Sequence, residues 1–227
     1  MDRQLDRIQK AYDLTVEQYK RGVSHLDNVP EDIQNSPFYQ SLIMDRGLLG
    51  SSAPDIREYL APKLGMRFLD AGCCANIANY RLDQWPSIYY GIDISPRLID
   101  ATKDFISREH ISVGGLHVAD ISRLPFHDDF FDIAAVIGVL EYGTLKYIRE
   151  ALRELNRVLK PKSRVVLDIP NQKHPHAIDM ARPERYLARP NFLHPRPEFE
   201  KLLAPLFFTQ RIDDSRVMLK YFVRTIK

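Results

Sequence analysis

Three aspartates stand at the ends of successive apolar runs. Asp70 closes Arg67-Phe68-Leu69-Asp70, Asp93 closes the run Ile88-Tyr89-Tyr90-Gly91-Ile92, and Asp120 follows Leu116-His117-Val118-Ala119. An ionised carboxylate only accepts hydrogen bonds, so such a series receives hydroxyls and amines and attracts cations. Asp93, 23 positions after Asp70, is placed to accept from ribose hydroxyls, and Asp120 from the exocyclic amine of a nucleobase. Carboxylates around the first loop repel a pyrophosphate and welcome a cationic amino-acid headgroup or a sulfonium. Asp70 is also a residue type that caps helices well, and that reading stands beside the ligand-binding one.

Other reactive residue types are sparse. Cys73 and Cys74 are adjacent, with no second cysteine pair to complete a tetrahedral metal site, so loop packing is the expectation for them and no metal site is expected. Tyr142, His174, His176 and His194 are the candidate proton acceptors, although histidines in such stretches are more often plain loop residues. None of the 10 glycines forms a Gly-x-Gly pair. That excludes the dinucleotide fingerprint and the phosphate-cradling loop, which both need closely spaced glycines.

The residues that surround these groups set their geometry. Leu5, Ile8, Tyr12, Val16 and Tyr19 recur every three or four positions and predict a helix over 1–22. A short helix is expected from Pro54 to Ala61, capped by Ser52 or Ala53 and stopped near Pro62 and Gly65. From Met66 onward, strand-like runs alternate with helical patterns, the clearest helix being 144–160 with Leu145, Ile148, Leu152, Leu155 and Leu159 on one face. Alternation of this kind predicts an α/β fold with a Rossmann-like, doubly wound, mostly parallel sheet. The runs 207–212 and 217–226 are joined only by Asp213-Asp214-Ser215, too short for a parallel crossover, so the sheet should end in an antiparallel hairpin. The expected division is a helical cap or lid over residues 1–60 and one main domain over 61–227, with a substrate-side insertion at 171–204. Ligands of open parallel sheets bind beyond the carboxyl ends of the strands, where the three aspartates are expected.

Composition narrows the partners. The 32 basic and 30 acidic residues leave a net charge of +2, which gives no electrostatic reason to expect nucleic acid. The apolar run from Ile133 to Leu140 is far short of a membrane span. The opening residues are mostly polar and unlike a secretory leader, and two adjacent cysteines fit a reducing compartment, so a cytoplasmic location is expected.

The successive segments Phe68-Leu69-Asp70-Ala71-Gly72-Cys73-Cys74, Gly91-Ile92-Asp93-Ile94-Ser95-Pro96, Ala119-Asp120-Ile121, Phe131-Asp132-Ile133 with Gly138-Val139-Leu140-Glu141-Tyr142, and 152–161 together resemble the motifs of class I S-adenosylmethionine-dependent methyltransferases. The small-molecule subgroup with the ubiquinone and menaquinone enzymes is the nearest in pattern, over roughly residues 60–170. The resemblance implies S-adenosyl-L-methionine as cofactor and S-adenosyl-L-homocysteine as product. It also implies that Asp70 and the backbone of Ala71, Gly72 and Cys73 surround the methionyl part. Asp93 would bind the ribose, Ile94 would pack on the adenine, Asp120 and the Ile121 amide would read the adenine edge, and the backbone near Ile137 would face the methionyl amine. The chain departs from the family's Gly-x-Gly-x-Gly loop, with Cys74 and Asn76 at the second and third glycine positions. A side chain there crowds the backbone's approach to a ligand, although Asn tolerates a left-handed conformation. Tyr142 stands where the subgroup often has His.

The expected activity is methyl transfer to a small-molecule acceptor by in-line displacement at the sulfonium methyl. Methylation of nucleic acid or protein is the alternative. Against it, Ile137-Gly138-Val139-Leu140 replaces the Asn-Pro-Pro-Tyr type of sequence that enzymes acting on planar amides and adenine amines often carry. A methyltransferase-fold binding protein without catalysis is a third reading. The amphipathic first helix is expected to close over the strand ends, with Tyr12 or Tyr19 near the cofactor.

Overall fold

A computed structural model describes residues 3–23, 29–40 and 54–227. Helix α1 (Arg3–Lys20) ends because Gly22 takes a φ of 76°. The Gly22 N–H then reaches Tyr19 O at 3.0 Å and the Val23 N–H reaches Gln18 O at 3.0 Å, the paired closure that uses up orphan helix carbonyls. Helix α2 (Pro54–Leu60) opens with proline at its first position, where the missing N–H has no helical partner to lose. Its expected caps, Ser52 and Ala53, lie outside the described residues.

The sheet comprises β1 (Arg67–Ala71), β2 (Ile88–Asp93), β3 (Gly115–Val118), β4 (Phe131–Val136), β5 (Leu159–Pro170), β6 (Phe207–Asp213) and β7 (Met218–Thr225), in the order β3-β2-β1-β4-β5-β7-β6. Strands β1 to β5 run parallel, while β7 pairs antiparallel with both β5 and β6. The expected terminal hairpin is present, with its second strand inserted between the first and the parallel sheet. Helices α3 (Pro96–Arg108) and α4 (Leu145–Val158) link the parallel strands, and α5 (Ala177–Tyr186) and α6 (Arg196–Leu203) occupy the insertion.

Strand alternation divides the core between the two faces of the sheet. Leu69, Ala134, Val136, Val165 and Leu167 face Ile148, Leu152 and Leu155 of α4 and Phe199 of α6. Phe68, Ile133, Ala135 and Val166 face Ile56 and Leu60 of α2, Trp85 and Ile99 of α3. The expected cap segment is therefore split in its packing, because α2 belongs to the sheet's core and α1 does not. Helix α4 starts at the Thr144 hydroxyl, which accepts from the Tyr147 N–H at 3.3 Å, as an N-cap should. It stops two residues before the expected end, because Leu159 is already extended and pairs with Phe131 across β4 and β5.

The topology fixes where a ligand can sit. From β1 the chain moves to β2 and β3 on one side, then crosses back to β4 on the other. The loops after β1 and β4 part in opposite directions, and the crevice between them is the switch point of the sheet.

Phe131 anchors the opposite, amino-terminal end of the central parallel strands. Its ring is fully buried and meets Phe126, Phe130 and Tyr90 with centroids 4.7, 4.9 and 5.4 Å away. Replacing Phe131 with Ala should cost about 3–5 kcal/mol of unfolding free energy, read as a lower urea midpoint with an unchanged slope. A loss well below 1 kcal/mol would show that the cluster closes around the void.

Candidate active site

A partly open cavity lies beyond the carboxyl ends of β1, β2, β3 and β4. Its floor is the loop after β1. Gly72 and Cys73 donate their N–H groups to Ile92 O at 2.9 and 2.8 Å, which continues the β1–β2 ladder past the strand end. Gly72 has a φ of 77°, and a Cβ there would lie 2.2 Å from Val139 Cγ2 on the loop after β4. Glycine is thus required twice over, by backbone conformation and by space.

Asp93 ties the floor to β2. Its Oδ2 accepts from the Cys74 N–H at 3.0 Å and its Oδ1 from the Ser95 N–H at 2.9 Å. Burial pushes its carboxyl up from the ordinary value, against the pull of these backbone donors. Each oxygen keeps a second acceptor site for a ligand hydroxyl. Asp120, on the facing wall, accepts from the Ser122 N–H and the Tyr147 hydroxyl, both at 2.8 Å. Past β4, the Gly138 N–H donates to Asp168 Oδ1 at 2.8 Å. Behind these loops lies a shell of buried carboxyls, with Asp70 and Asp168 each raised to about 6 by burial. Glu141 is pushed well up by burial and by the Asp168 charge.

Of the residues expected to hold a cofactor, Gly72, Asp93, Ile94, Asp120, Ile121 and Ile137 line the cavity. Asp70, Ala71 and Cys73 stand behind its wall. The Asp70 carboxylate takes the Tyr89 hydroxyl at 2.8 Å and the Asn76 side-chain amide at 3.2 Å. It caps no helix, since the turn Asn76–Asn79 has no side-chain cap. Ala71 and the Cys73 side chain are in the core. Cys74 lines the cavity and adopts a positive φ of 39°, while Asn76, the residue type that tolerates such a conformation, begins a helical turn. Burial holds the Cys73 thiol well above its usual value and the Cys74 thiol at about 11, so neither is a ready nucleophile.

The four candidate proton acceptors separate in space. Tyr142 lines the cavity. His194 is buried away from it, with Nε2 at 2.7 Å from Gly143 O and its ring stacked on Phe192, a position that braces the loop after β4. His174 Nδ1 accepts from the His176 N–H at 3.2 Å, and His176 Nδ1 lies 3.7 Å from Asp179. Neither of these two lines the cavity. Among the described residues no group of three or more His, Cys, Asp or Glu side chains is arranged to hold a metal ion, and no helix is long and apolar enough to cross a membrane.

Helix α1 forms the roof through Leu5, Ile8 and Tyr12. Asp13 accepts from the Ser95 hydroxyl at 2.5 Å, and Glu17 pairs with Arg97 at 2.5 Å, both at the start of α3. The Gln4 amide donates to Tyr142 O, and the Tyr12 and Tyr142 hydroxyls meet at 2.9 Å. Tyr19 points to solvent. Sequence reasoning missed Tyr147, Glu184 and Arg189. Tyr147 is traceable to the first turn of α4, but the other two lie in the 171–204 stretch, where no motif marks them.

A family model described as a methyltransferase domain matches residues 69–167, the span from β1 through β5 that builds the cavity floor. Residues 69–167 thus carry a methyltransferase domain. Solved methyltransferase structures share the fold at low identity. Geranyl diphosphate C-methyltransferase of Streptomyces coelicolor A3(2) has a TM-score of 0.69 at 13% identity, covering 99% of this chain and 98% of its own. The magnesium protoporphyrin IX methyltransferase of Synechocystis PCC 6803 has a TM-score of 0.65 at 14% identity, over 98% and 97% of the two chains. A protein of Pyrococcus horikoshii OT3 reaches 0.66 at 19% identity, over 92% and 99%. No curated protein sequence matches.

The cavity floor gives a direct test. Gly72→Ala must adopt a left-handed backbone at about 1–2 kcal/mol and displace Val139 as well, so the variant should melt several degrees lower. Its affinity for S-adenosylhomocysteine should fall along with the stability. An unchanged melting temperature would mean that the two loops separate without cost.

Proposed function

We propose that the protein moves the methyl group of S-adenosylmethionine to a small-molecule acceptor by in-line displacement. The observation that carries this reading is the gathering of Gly72, Asp93 and Asp120 around one cavity at the switch point of the sheet. The donor set suits the cofactor. Asp93 accepts from the ribose hydroxyls, Asp120 accepts from the adenine amine, and the Ile121 N–H serves a ring nitrogen. Ile94 packs against the base. The backbone of Gly72 and Ile137 flanks the methionyl end, with Ala71 and Cys73 holding the loop's shape from behind. Asp70 acts from that second layer as part of the negative field. Bound there, the cofactor supplies a methyl carbon already made electrophilic by its sulfonium, so the protein's task is alignment and exclusion of water.

A small acceptor accords with the roof. Leu5, Ile8 and Tyr12 leave a covered space beside the loops rather than an open groove for a polymer. The relatives named for geranyl diphosphate and magnesium protoporphyrin IX act on molecules of that class. The near balance of basic and acidic residues gives nucleic acid no purchase.

Calorimetry with S-adenosylhomocysteine tests the cofactor site. Asp93→Ala should lose about 1.5–3 kcal/mol, tenfold or more in Kd, and unchanged binding would remove Asp93 from the site. Methyl-labelled cofactor incubated with a metabolite extract should label a low-molecular-weight product, and label found only in RNA or protein would overturn the small-molecule assignment.

Affinity for S-adenosylmethionine should also depend on pH. In the free protein Asp70 and Asp168 ionise near 6 because burial disfavours their charge. A bound cation favours the ionised forms and lowers both values, so binding releases protons below pH 7. Affinity should therefore rise from pH 5 to 7 and level off above, with proton release measured calorimetrically in buffers of different ionisation enthalpy. A flat profile would show that these carboxyls do not sense the cofactor.

A further inference from the structure

We propose that Tyr142 and Glu184 form a proton exit from the cavity, so that the acceptor is a hydroxyl compound whose O–H proton leaves by this route. The inference rests on the methyltransferase reading above and adds the acceptor's chemistry to it.

Methylation at a hydroxyl oxygen releases a proton, and the roofed cavity must dispose of it. The two carboxylates on its wall are committed to the ribose and the adenine in the reading above, and Asp93 also holds two backbone N–H groups while Asp120 holds Ser122 and Tyr147. The candidate histidines lie elsewhere. Tyr142 alone among the expected acceptors faces the cavity, and its hydroxyl donates to Glu184 Oε2 at 3.0 Å. Its oxygen then has two lone pairs free to accept. One takes the Tyr12 hydroxyl at 2.9 Å, and the other is open to the O–H of an acceptor.

Glu184 connects this chain to water. Its side chain is 21% exposed and lies 3.6 Å from the Arg189 guanidinium. Arg189 is itself fixed, stacked 3.9 Å over the Tyr12 ring and donating to Thr15 Oγ1 at 3.0 Å. Burial raises both tyrosine hydroxyls far above neutrality, so Tyr142 relays a proton rather than ionising first. As the acceptor oxygen bonds to the methyl carbon, the C–S pair returns to sulfur. The acceptor's proton passes to Tyr142 Oη while the Tyr142 proton passes to Glu184. Tyr142 touches the acceptor and is the catalytic residue; Glu184 and Arg189 are positioning residues.

The test compares acceptors that need the relay with one that does not. Phenol, catechol and para-nitrophenol are incubated with tritium-labelled S-adenosylmethionine, together with hydroxyl compounds found labelled in the extract. Glu184→Gln and Tyr142→Phe should each slow transfer to phenol and catechol by about 100-fold. The already acidic para-nitrophenol should lose much less than phenol in both variants, and S-adenosylhomocysteine should bind Glu184→Gln within about twofold of the parent. Glu184→Asp keeps the carboxylate and should recover part of the phenol rate; it carries the test if Glu184→Gln fails to fold by circular dichroism. Equal losses for all the phenols would reduce the pair to structural support and overturn the relay. Cofactor product bound normally while the parent protein labels only carbon or thiol compounds, or nothing, would overturn the hydroxyl acceptor and leave the cofactor site standing. No binding of the cofactor product at all would sink the methyltransferase reading first, and the relay with it.

Discussion

Asp93 holds two loops that the sheet would otherwise leave separate. The N–H of Cys74 belongs to the loop after β1 and the N–H of Ser95 to the entry of α3, and the same carboxylate receives both. A buried carboxylate needs such donors, since burial without them costs several kcal/mol. The donors in turn need the carboxylate, since a buried N–H without a partner is nearly as unfavourable. Ser95 extends the arrangement outward: its hydroxyl caps α3 through the Leu98 N–H at 3.1 Å and also meets Asp13 on α1. One strand-end aspartate thus sets the cavity floor, the start of the next helix and the seat of the roof.

A second constraint is electrostatic. Asp70, Asp93, Asp168 and Glu141 are buried close behind the loops, and burial raises all four. Their partners are neutral donors such as Tyr89, Asn76 and the backbone of Gly138 rather than cations. Lys220, which attracts Asp168, is paired with Asp55. Structure assembled only for stability would favour apolar residues at such positions. The arrangement makes sense as a site whose negative field is completed by a positively charged ligand, which is the form of the family's cofactor.

The legible part of the molecule was the part that obeys periodic rules. Strands and helices alternate in the sequence because both faces of the sheet must be covered, and the aspartates fall at strand ends because that is where side chains leave the core. Even so, Asp70 was legible in place and not in direction: its carboxylate turns inward to Tyr89, 19 residues away, a contact no local pattern marks. The loop Gly72-Cys73-Cys74 shows the same limit, since Cys74 takes the left-handed backbone that residue preferences assign to Asn. Glu184 and Arg189 were illegible for a different reason. They contact Tyr142, Tyr12 and Thr15, 42 to 177 residues distant, and those contacts arise only when α1 folds across the strand ends. Of the four candidates, Tyr142, His174, His176 and His194, three-dimensional placement brings Tyr142 to the cavity and leaves the histidines outside its lining.

The roof is fastened in a way that suits repeated opening. Along its inner side α1 buries Leu5, Ile8 and Val16, but its specific links to the rest of the chain are polar: Gln4 to Tyr142, Tyr12 to Tyr142, Asp13 to Ser95, Thr15 to Arg189 and Glu17 to Arg97. Each such bond is worth about 0.5–1.5 kcal/mol net, because water replaces it when it breaks. Large core side chains do not have that substitute, and their exposure costs about 1.5–3 kcal/mol each. Helix α1 covers part of the cavity through Leu5, Ile8 and Tyr12, and its polar fastening leaves the two hydrophobic cores beneath independent of it. Tyr12 belongs to the fastening and also meets the Tyr142 hydroxyl, so the helix over the cavity helps to hold the group proposed to relay the proton. Closure and chemistry are then coupled through a single hydroxyl pair, Tyr12 and Tyr142.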